Sequence, residues 1–222
     1  MGCYDMGYFI TIEGGEGSGK TSVLNKVIQL LNEDGYINIV TSREPGGIKI
    51  ATQIREVILN KENTSMDPVT EMFLFAASRR QHIVEKILPA LEDNAIFVCD
   101  RFVDSSYVYQ GIVGNIGLDT VINVNEIATL GCKPNLTILF DVDPKIGLER
   151  INANKAREVN RLDLKSIEYH NKIREGYLVV ANKFKDRIVV IDASKTFDEV
   201  VNDVYTLIKS RLEENGYERV SK

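Results

Sequence analysis

The fold is decided by one octapeptide near the start of the chain, Gly14-Gly15-Glu16-Gly17-Ser18-Gly19-Lys20-Thr21. It fits the pattern G-x-x-x-x-G-K-[ST] at every position, and this pattern is typical of loops that bind nucleotide phosphates. Glycines allow successive backbone N–H groups to turn toward the phosphates, and the N-terminus of a following helix adds partial positive charge. We therefore predict that Lys20 reaches the β and γ phosphates and that the Thr21 hydroxyl binds Mg²⁺.

Short apolar runs alternate with longer stretches of helical periodicity on both sides of this octapeptide. The apolar runs predict strands at residues 8–13, 36–41, 95–100, 136–141 and 187–192. The periodic stretches predict helices near residues 20–33, 48–60, 67–92, 104–112, 118–129, 143–153, 163–183 and 197–214. Because each strand is nearly all apolar, we expect it to be covered on both faces in a parallel sheet. The pattern predicts a three-layer α/β/α fold that resembles the P-loop NTPases, with ligands beyond the carboxyl ends of five parallel strands.

The composition limits the kind of protein that the chain can form. Of its 222 residues, 44% are hydrophobic and 27% are charged, which is typical of globular proteins. No stretch rich in Gly, Pro or Ser divides the chain, so we expect one domain over residues 1–222. The 27 basic and 32 acidic residues give a net charge of −5, which argues against a nucleic-acid partner. A local cluster of Arg around a small anionic ligand is still compatible with this charge.

The cysteines and the hydropathy pattern indicate the cellular location of the protein. Cys3, Cys99 and Cys132 form no CxxC pair, and two His are too few for a dedicated zinc site. We expect reduced thiols. No stretch of 18 apolar residues is present, and the first ten residues lack the basic start of a signal peptide. We therefore expect a cytoplasmic protein without a membrane partner.

A phosphate-binding loop alone is compatible with several classes of protein. Switch GTPases carry the tetrapeptide N-K-x-D on a later strand, and the sequence does not contain it. ATPase motors usually have a strand that ends near a catalytic Glu, whereas the strand predicted at 136–141 is followed by Val142-Asp143-Pro144. A small-molecule phosphotransferase is therefore favoured. The alternatives are a phosphate-loop kinase with another nucleotide substrate and a nucleotide-binding switch or assembly protein without transfer activity.

Further motifs follow the loop in a fixed order: TSREPGG at 41–47, FAASR at 75–79, DRF at 100–102 and DSSYVYQG at 104–111. Together with the loop, their order and spacing resemble the bacterial thymidylate kinases. The resemblance implies a nucleoside-monophosphate kinase fold with a short lid. It also implies transfer of the γ-phosphoryl group of ATP to dTMP, with Mg²⁺, to give dTDP and ADP in dTTP biosynthesis. A homodimer is suggested by the resemblance alone.

The resemblance assigns dTMP binding to Glu16, Arg43, Arg55, Phe75, Arg79, Arg101, Ser106, Tyr109 and Gln110. Phe75 and Arg79 are four residues apart and share one helix face, where they are expected to stack on the thymine ring and to hydrogen-bond its edge. Ser106 and Gln110 have the same spacing and are also assigned to the edge of the base. Tyr109 resembles the aromatic residue that crowds the ribose 2′ position and selects deoxyribose.

Phosphoryl transfer requires that two anionic substrates be aligned and that their charge be screened, so the site needs several guanidinium groups. The resemblance places Arg43 and Arg101 at strand ends near the phosphates, with Arg101 between donor and acceptor. Arg55 is expected to bind the monophosphate. Asp100 is expected either to help hold Mg²⁺ or to orient Arg101. We expect catalysis to depend on Lys20, Arg101, Asp100, Glu16, Arg157 and Arg161.

Glu16 is the variable position of the loop that says most about the lid. In the family, members with an acidic residue at this position supply basic residues from a mobile lid. Here the polar stretch at about 152–162 contains Arg157 and Arg161, so we expect these two residues to reach the transferring group. The eight loop residues are expected to bind ATP together with Arg150, which is placed to pack against adenine.

Overall fold

The computed structural model describes residues 7–153 and 166–220. Within them, five parallel strands form a sheet in the order β2-β3-β1-β4-β5. The strands are β1 (Tyr8–Gly14), β2 (Ile39–Arg43), β3 (Ile96–Asp100), β4 (Leu136–Asp141) and β5 (Ile188–Asp192). The predicted five-stranded parallel sheet is confirmed.

Helices connect successive strands and cover the two faces of the sheet. The α-helices are α1 (Lys20–Glu33), α2 (Lys49–Leu59), α3 (Pro68–His82), α4 (Leu88–Glu92), α5 (Val103–Ser106), α6 (Leu118–Thr129), α7 (Pro144–Ala153), α8 (Ile167–Lys183) and α9 (Phe197–Glu214). Two π-helical segments, Ile83–Ile87 and Tyr107–Val113, continue α3 and α5 without a break. Among the described residues, no helix is both long enough and apolar enough to cross a membrane.

Two helices, α3 and α9, begin close to their predicted positions because a side chain caps the first turn of each. The Asp67 side chain accepts hydrogen bonds from the backbone N–H groups of Val69 and Thr70, which fixes the start of α3. Thr196 and Glu199 form a reciprocal capping box at the start of α9. Such local signals are readable in a sequence, so these two helix starts lie within one residue of the prediction.

Alternating side chains of β1 divide the core between the two faces of the sheet. Phe9 packs into a cluster that includes Ile83 and Val180, whereas Ile10 packs with Val27 of α1 and Val204 of α9. A strand must be apolar on both faces when helices cover both, which explains the nearly unbroken apolar sequence of β1. The predicted three-layer arrangement is confirmed.

The two edge strands differ from the prediction. The second strand begins at Ile39 rather than at residue 36, because Asn38 has a left-handed backbone (φ 56°) that interrupts an extended chain. Ile37 is 63% exposed and contributes nothing to the core. Along β2 and β5, side chains are exposed or only half-buried at most positions. The expectation that every strand is covered on both faces is wrong for these two edges.

The prediction of reduced thiols is met at Cys99 but not at Cys132. Cys99 on β3 has a free thiol and is fully buried. Burial raises the pKa of this thiol well above its ordinary value, and nearby carboxylates add to the effect. Cys132 is disulfide-bonded, so the expectation of reduced thiols is wrong for that residue.

The register of the sheet brings the functional motifs to one edge. Ile12 of β1 is paired with Asp100 of β3, and Gly14 is paired with Phe140 of β4. Arg43, at the end of β2, is also paired with Asp100. The octapeptide therefore leaves the sheet between the ends of β3 and β4, at the carboxyl edge where ligands bind in open α/β folds.

Candidate active site

The phosphate loop depends on backbone conformations that suit glycine. Gly17 and Gly19 have φ values of 71° and 86°, and Gly19 directly precedes α1. At Gly17 a side chain is excluded by packing as well, because a Cβ atom there would lie 2.0 Å from the backbone oxygen of Gly147 in α7. Backbone packing among β1, α1 and α7 thus contributes to holding the loop in place.

Lys20 lies under this loop and is buried. Its Nζ donates hydrogen bonds to the backbone oxygens of Gly14 (2.9 Å) and Gly15 (2.8 Å) and to Ser18 Oγ (3.1 Å). Burial lowers the pKa of Lys20 to about 8, and the positive charge of Arg101 acts in the same direction. The ammonium group is therefore held in a position from which it can bind phosphate oxygens.

The residues beside the loop fit a magnesium ion. Thr21 Oγ1 donates to Asp100 Oδ2 at 2.8 Å, while Asp100 Oδ1 is buried and has no hydrogen-bond partner. Mg²⁺ is usually held by one or two protein oxygens together with phosphate oxygens and water. The part of the chain that the structure describes contains no group of three or more His, Cys, Asp or Glu that could hold a metal. A Thr–Asp pair with one unused carboxylate oxygen matches an ion that arrives with the nucleotide.

Arg101 lies between the loop and Tyr177 of α8. Its Nη2 donates to Glu16 Oε1 at 2.7 Å, and its Nη1 donates to Tyr177 Oη (3.0 Å) and Ser105 Oγ (3.2 Å). The guanidinium carbon lies 5.6 Å from the centre of the Tyr109 ring. Arg101 has a left-handed backbone (φ 69°), which is unusual for a residue with a side chain and is often found at functional sites.

Arg79 is the centre of a second buried cluster. Its Nε donates to Glu44 Oε2 at 2.7 Å, and its Nη1 donates to Ser106 Oγ at 3.0 Å and to Asn125 Oδ1. Its Nη2 donates to the backbone oxygen of Phe102 at 2.9 Å. Among the contacts of the described residues, four of the five guanidinium N–H groups are used, which leaves one on Nη2. The structure brings Arg79 and Ser106 together.

Three other residues predicted to bind dTMP lie on α2, on α3 and on the π-helix after α5. Gln110 Nε2 donates to Glu71 Oε1 at 2.9 Å, which leaves the amide oxygen of Gln110 as an acceptor. Phe75 lies one turn before Arg79 on α3 and is half-buried. Arg55 Nη1 donates to the backbone oxygen of Pro45 at 3.1 Å.

The remaining predicted site residues are placed as follows. Tyr109 Oη donates to Glu16 Oε1 at 3.3 Å, on the same side as Arg101. Arg43 is exposed at the end of β2. Arg150 Nη1 donates to the backbone oxygen of Ala193, directly after β5, at 3.0 Å. The predicted lid begins within α7, while Arg157 and Arg161 lie outside the described residues.

Sequence reasoning missed several residues that hold the site together. They are Glu13, Glu71, Ser105, Asn125 and Tyr177. Glu13 was visible only as an acidic residue at the end of an apolar strand. Nothing in the sequence distinguishes Asn125 or Tyr177 from ordinary polar residues of a helix.

Together, the parallel sheet, the phosphate loop at its carboxyl edge and the arginines around it define a P-loop protein of the nucleoside-monophosphate kinase type. The thymidylate kinase family matches residues 12–204. The chain belongs to this family. It is therefore a phosphotransferase that phosphorylates dTMP with ATP, on the route to dTTP. The predicted class of activity is confirmed.

Individual relatives agree over nearly the whole chain. A thymidylate kinase of Geobacillus thermodenitrificans is 52% identical over 207 residues, which cover 93% of this chain and 92% of the relative. A thymidylate kinase of Halalkalibacterium halodurans is 51% identical over 206 residues, which cover 93% of this chain and 98% of the relative. The crystal structure of thymidylate kinase from Ehrlichia chaffeensis has a TM-score of 0.73 and is 28% identical, with 92% and 99% covered.

Proposed function

We propose that Lys20, Arg101 and Asp100 carry out the transfer of the γ-phosphoryl group from ATP to dTMP at the carboxyl edge of the sheet. The observation that carries this proposal is the position of Arg101. Its guanidinium is bonded to Glu16 of the phosphate loop and lies over the ring of Tyr109, on the acceptor side. A cation held between two polyanions can screen charge on both substrates.

On the donor side, the loop amides and Lys20 bind the phosphates of ATP. Thr21 and Asp100 hold Mg²⁺, which neutralises phosphate charge when it is bound. Arg150, fixed by its hydrogen bond to Ala193, packs against adenine. These assignments use a loop that is preorganised by β1 and α1, so little reorganisation is needed when ATP binds.

On the acceptor side, Phe75 stacks on thymine, while the remaining N–H of Arg79 and the polar groups of Ser106 and Gln110 bind its edge. The buried ion pair between Arg79 and Glu44 (2.7 Å) keeps the guanidinium in one orientation. A few fixed polar groups in an apolar pocket are the usual means by which a site selects one base. Tyr109, packed beside Arg101, faces the sugar.

The phosphate of dTMP is bound by Arg55 and Arg43. Glu16 brings a negative charge to the loop, and Arg101 offsets it directly at 2.7 Å. We assign further screening in the transition state to Arg157 and Arg161 of the lid, on the sequence argument alone. Transfer through a loose transition state depends on such alignment and screening rather than on covalent catalysis by the protein.

The acceptor assignment predicts a strong preference among monophosphates. In a coupled assay of ADP release with dTMP, dGMP, dCMP and AMP, we expect kcat/KM for dTMP to exceed the others by at least about 10³-fold. Discrimination of this size is expected when polar groups of a site are left unpaired by the wrong ligand. Comparable rates with a purine monophosphate would contradict the proposed pocket.

The same assay separates the acceptor pocket from the donor site. Replacing Arg79 with Ala should raise KM for dTMP by about 10- to 100-fold and KM for ATP by less than about threefold, because Arg79 contacts only acceptor-side groups. Truncation also leaves Glu44 with one fewer buried partner, so the melting temperature must be measured alongside. Equal increases in both KM values would overturn the placement of Arg79.

We infer a homodimer from an apolar surface on α3, the π-helix after it and α6. It consists of Val69, Phe73, Val84, Ile127 and Leu130. Phe73 is 56% exposed, and α3 packs beside α6, so these side chains form one patch. Apolar patches of this kind on helices often mark contacts between proteins. The occupant that we propose is the same patch of a second copy, as a twofold dimer requires.

Sedimentation velocity tests this interface. We expect Phe73→Glu to convert a dimer into a monomer, since a charge would be buried at the centre of the patch. Phe197→Glu is the matched control, because Phe197 is similarly exposed (48%) but lies at the start of α9. A monomeric wild type, or a dimeric Phe73→Glu variant, would refute the proposed surface.

We further place the enzyme in the cytoplasm, where ATP and nucleoside monophosphates are available. We treat residues 1–222 as one catalytic unit with the lid at about 152–162. The family match over residues 12–204 supports this, since it runs from just before the phosphate loop into the last helix.

A further inference from the structure

Glu13 is a fully buried carboxylate that no step described above uses. Its Oε1 accepts hydrogen bonds from the backbone N–H groups of Phe102 (2.7 Å) and Ser105 (3.3 Å). Its Oε2 accepts from Ser105 Oγ (2.6 Å) and from Tyr177 Oη (3.0 Å). Four donors thus converge on one acidic side chain at the end of β1, directly before the phosphate loop.

The two hydroxyl groups that bind Glu13 are also the two that bind Arg101. Nη1 of Arg101 donates to Ser105 Oγ at 3.2 Å and to Tyr177 Oη at 3.0 Å. Each hydroxyl has one proton and can accept through its lone pairs. An ionised carboxylate only accepts, so both hydroxyl protons must point toward Glu13. Both lone-pair sides are then turned toward Arg101.

We propose that Glu13 is a positioning residue for phosphoryl transfer, which orients the hydroxyl groups of Ser105 and Tyr177 so that both accept from Arg101. This inference rests on the role proposed for Arg101. Glu13 also binds Phe102, the residue that follows the left-handed Arg101, so it fixes the backbone as well as the side chain. Through both contacts, Glu13 determines where the guanidinium lies relative to the phosphate loop.

Replacing Glu13 with Gln changes the orientation of the two hydroxyl groups while it preserves the size of the buried side chain. The amide oxygen of Gln can still accept from Phe102 and Ser105, and its NH₂ group can donate to both hydroxyl oxygens. All buried groups of this position keep partners, but the direction of the hydroxyl hydrogen bonds is reversed. Ser105 and Tyr177 are 2.9 Å apart, so one can donate to the other. The proton of the other hydroxyl group then points toward Arg101 Nη1. Arg101 Nη1 therefore loses at least one of its two hydrogen bonds to these hydroxyl groups.

We expect Glu13→Gln to lower kcat by about 10- to 50-fold, the effect of losing one charge-assisted hydrogen bond. KM for ATP and for dTMP should change by less than about threefold, because neither substrate touches Glu13. At pH 8 the melting temperature should stay the same or rise, because a buried charge is replaced by a neutral group of equal size. A merely structural role would instead lower the melting temperature together with kcat.

The pH profile provides a second readout. Burial raises the pKa of Glu13 to about 7, and the negative charge of Asp104 adds to this, while Arg101 and the hydrogen bonds oppose it. Protonation at Oε2 reverses the hydroxyl groups as Gln does, so wild-type kcat should fall below about pH 7. The Glu13→Gln variant should not show this fall in kcat at low pH. The titratable groups that face Glu13 from the surrounding elements are Lys20, Cys99, Arg101, Asp104, Tyr109, Tyr177 and Arg187.

The matched control is Asp104→Asn. Asp104 is a buried carboxylate on α5, and it pairs with Arg187 (2.7 Å) rather than with Arg101. This variant should lower the melting temperature and leave kcat at pH 8 within about twofold. Combining Glu13→Gln with Tyr177→Phe should cost no more than the larger single effect, because both act on the same hydrogen bonds.

Three results would overturn the inference in distinguishable ways. If Arg101→Ala lowers kcat and Glu13→Gln does not, Arg101 is catalytic and Glu13 does not position it. If Arg101→Ala leaves kcat unchanged, the proposed role of Arg101 fails and the inference fails with it. Additive losses in Glu13→Gln with Tyr177→Phe would likewise show that the two residues act independently.

Discussion

Replacing Lys20 with Ala is expected to lower kcat by at least about 10³-fold while the protein stays folded. Loss of one preorganised donor to a developing charge costs about 10² to 10³ in kcat in acyl-transfer enzymes, and we propose that Lys20 contacts two phosphates. The fold should survive because the loop is held by the close packing of Gly17 on Gly147 and by the left-handed Gly19. Circular dichroism and the coupled ADP-release assay measure the two quantities on one preparation.

Lys26→Ala is the control for this prediction. Lys26 lies on the same helix, where its Nζ donates to exposed Gln29 at 3.1 Å, and its removal should leave kcat within about twofold. The assignment of Lys20 would be refuted by near wild-type turnover in Lys20→Ala. Unfolding of that variant would instead show that the hydrogen bonds to Gly14 and Gly15 maintain the loop.

The sheet and the phosphate loop could be predicted because their signals are local. The octapeptide fixes a strand, a turn and a helix within a few residues, and the apolar runs report burial directly. The predicted start of the second strand was wrong because it also relied on a local signal. Tyr36 and Ile37 are residue types that favour strands, but the left-handed Asn38 separates them from Ile39. The apolar pattern cannot reveal which strands lie at the edges, since that depends on sheet order.

The arrangement within the site could be predicted only in part. The family resemblance assigned Arg79 and Ser106 to the edge of the same base, and the structure joins the two side chains at 3.0 Å. The environment of Arg79 was not predictable, because Glu44 and Asn125 approach it from segments 35 and 46 residues away. Tyr177 reaches Glu13 across 164 residues. Contacts of this kind arise from the packing of helices on the sheet, and no periodicity in the sequence reports them.

Arg101→Ala is expected to lower kcat by at least about 10³-fold, since an arginine delivered to a phosphoryl transition state is worth about 10³ to 10⁵ in nucleotide hydrolases. Dissociation constants for ATP and dTMP should change much less, because the guanidinium acts mainly as charge moves between the substrates. The variant also leaves Glu16 without its 2.7 Å ion pair, which adds repulsion against the transferring group.

Arg101→Lys tests whether geometry or charge accounts for this effect. Arg101 binds Glu16 through one terminal nitrogen and Ser105 and Tyr177 through the other, and a single ammonium cannot reproduce that fork. We therefore expect Arg101→Lys to recover little activity, with kcat still about 10²-fold below wild type.

Arg187→Lys is the control. It alters a similar buried pair with Asp104, so it should lower the melting temperature while kcat stays within about threefold of wild type. Full activity in Arg101→Lys would mean that charge alone suffices. Retention of kcat in Arg101→Ala would move the screening of the transferring group to Arg43 or to the lid arginines.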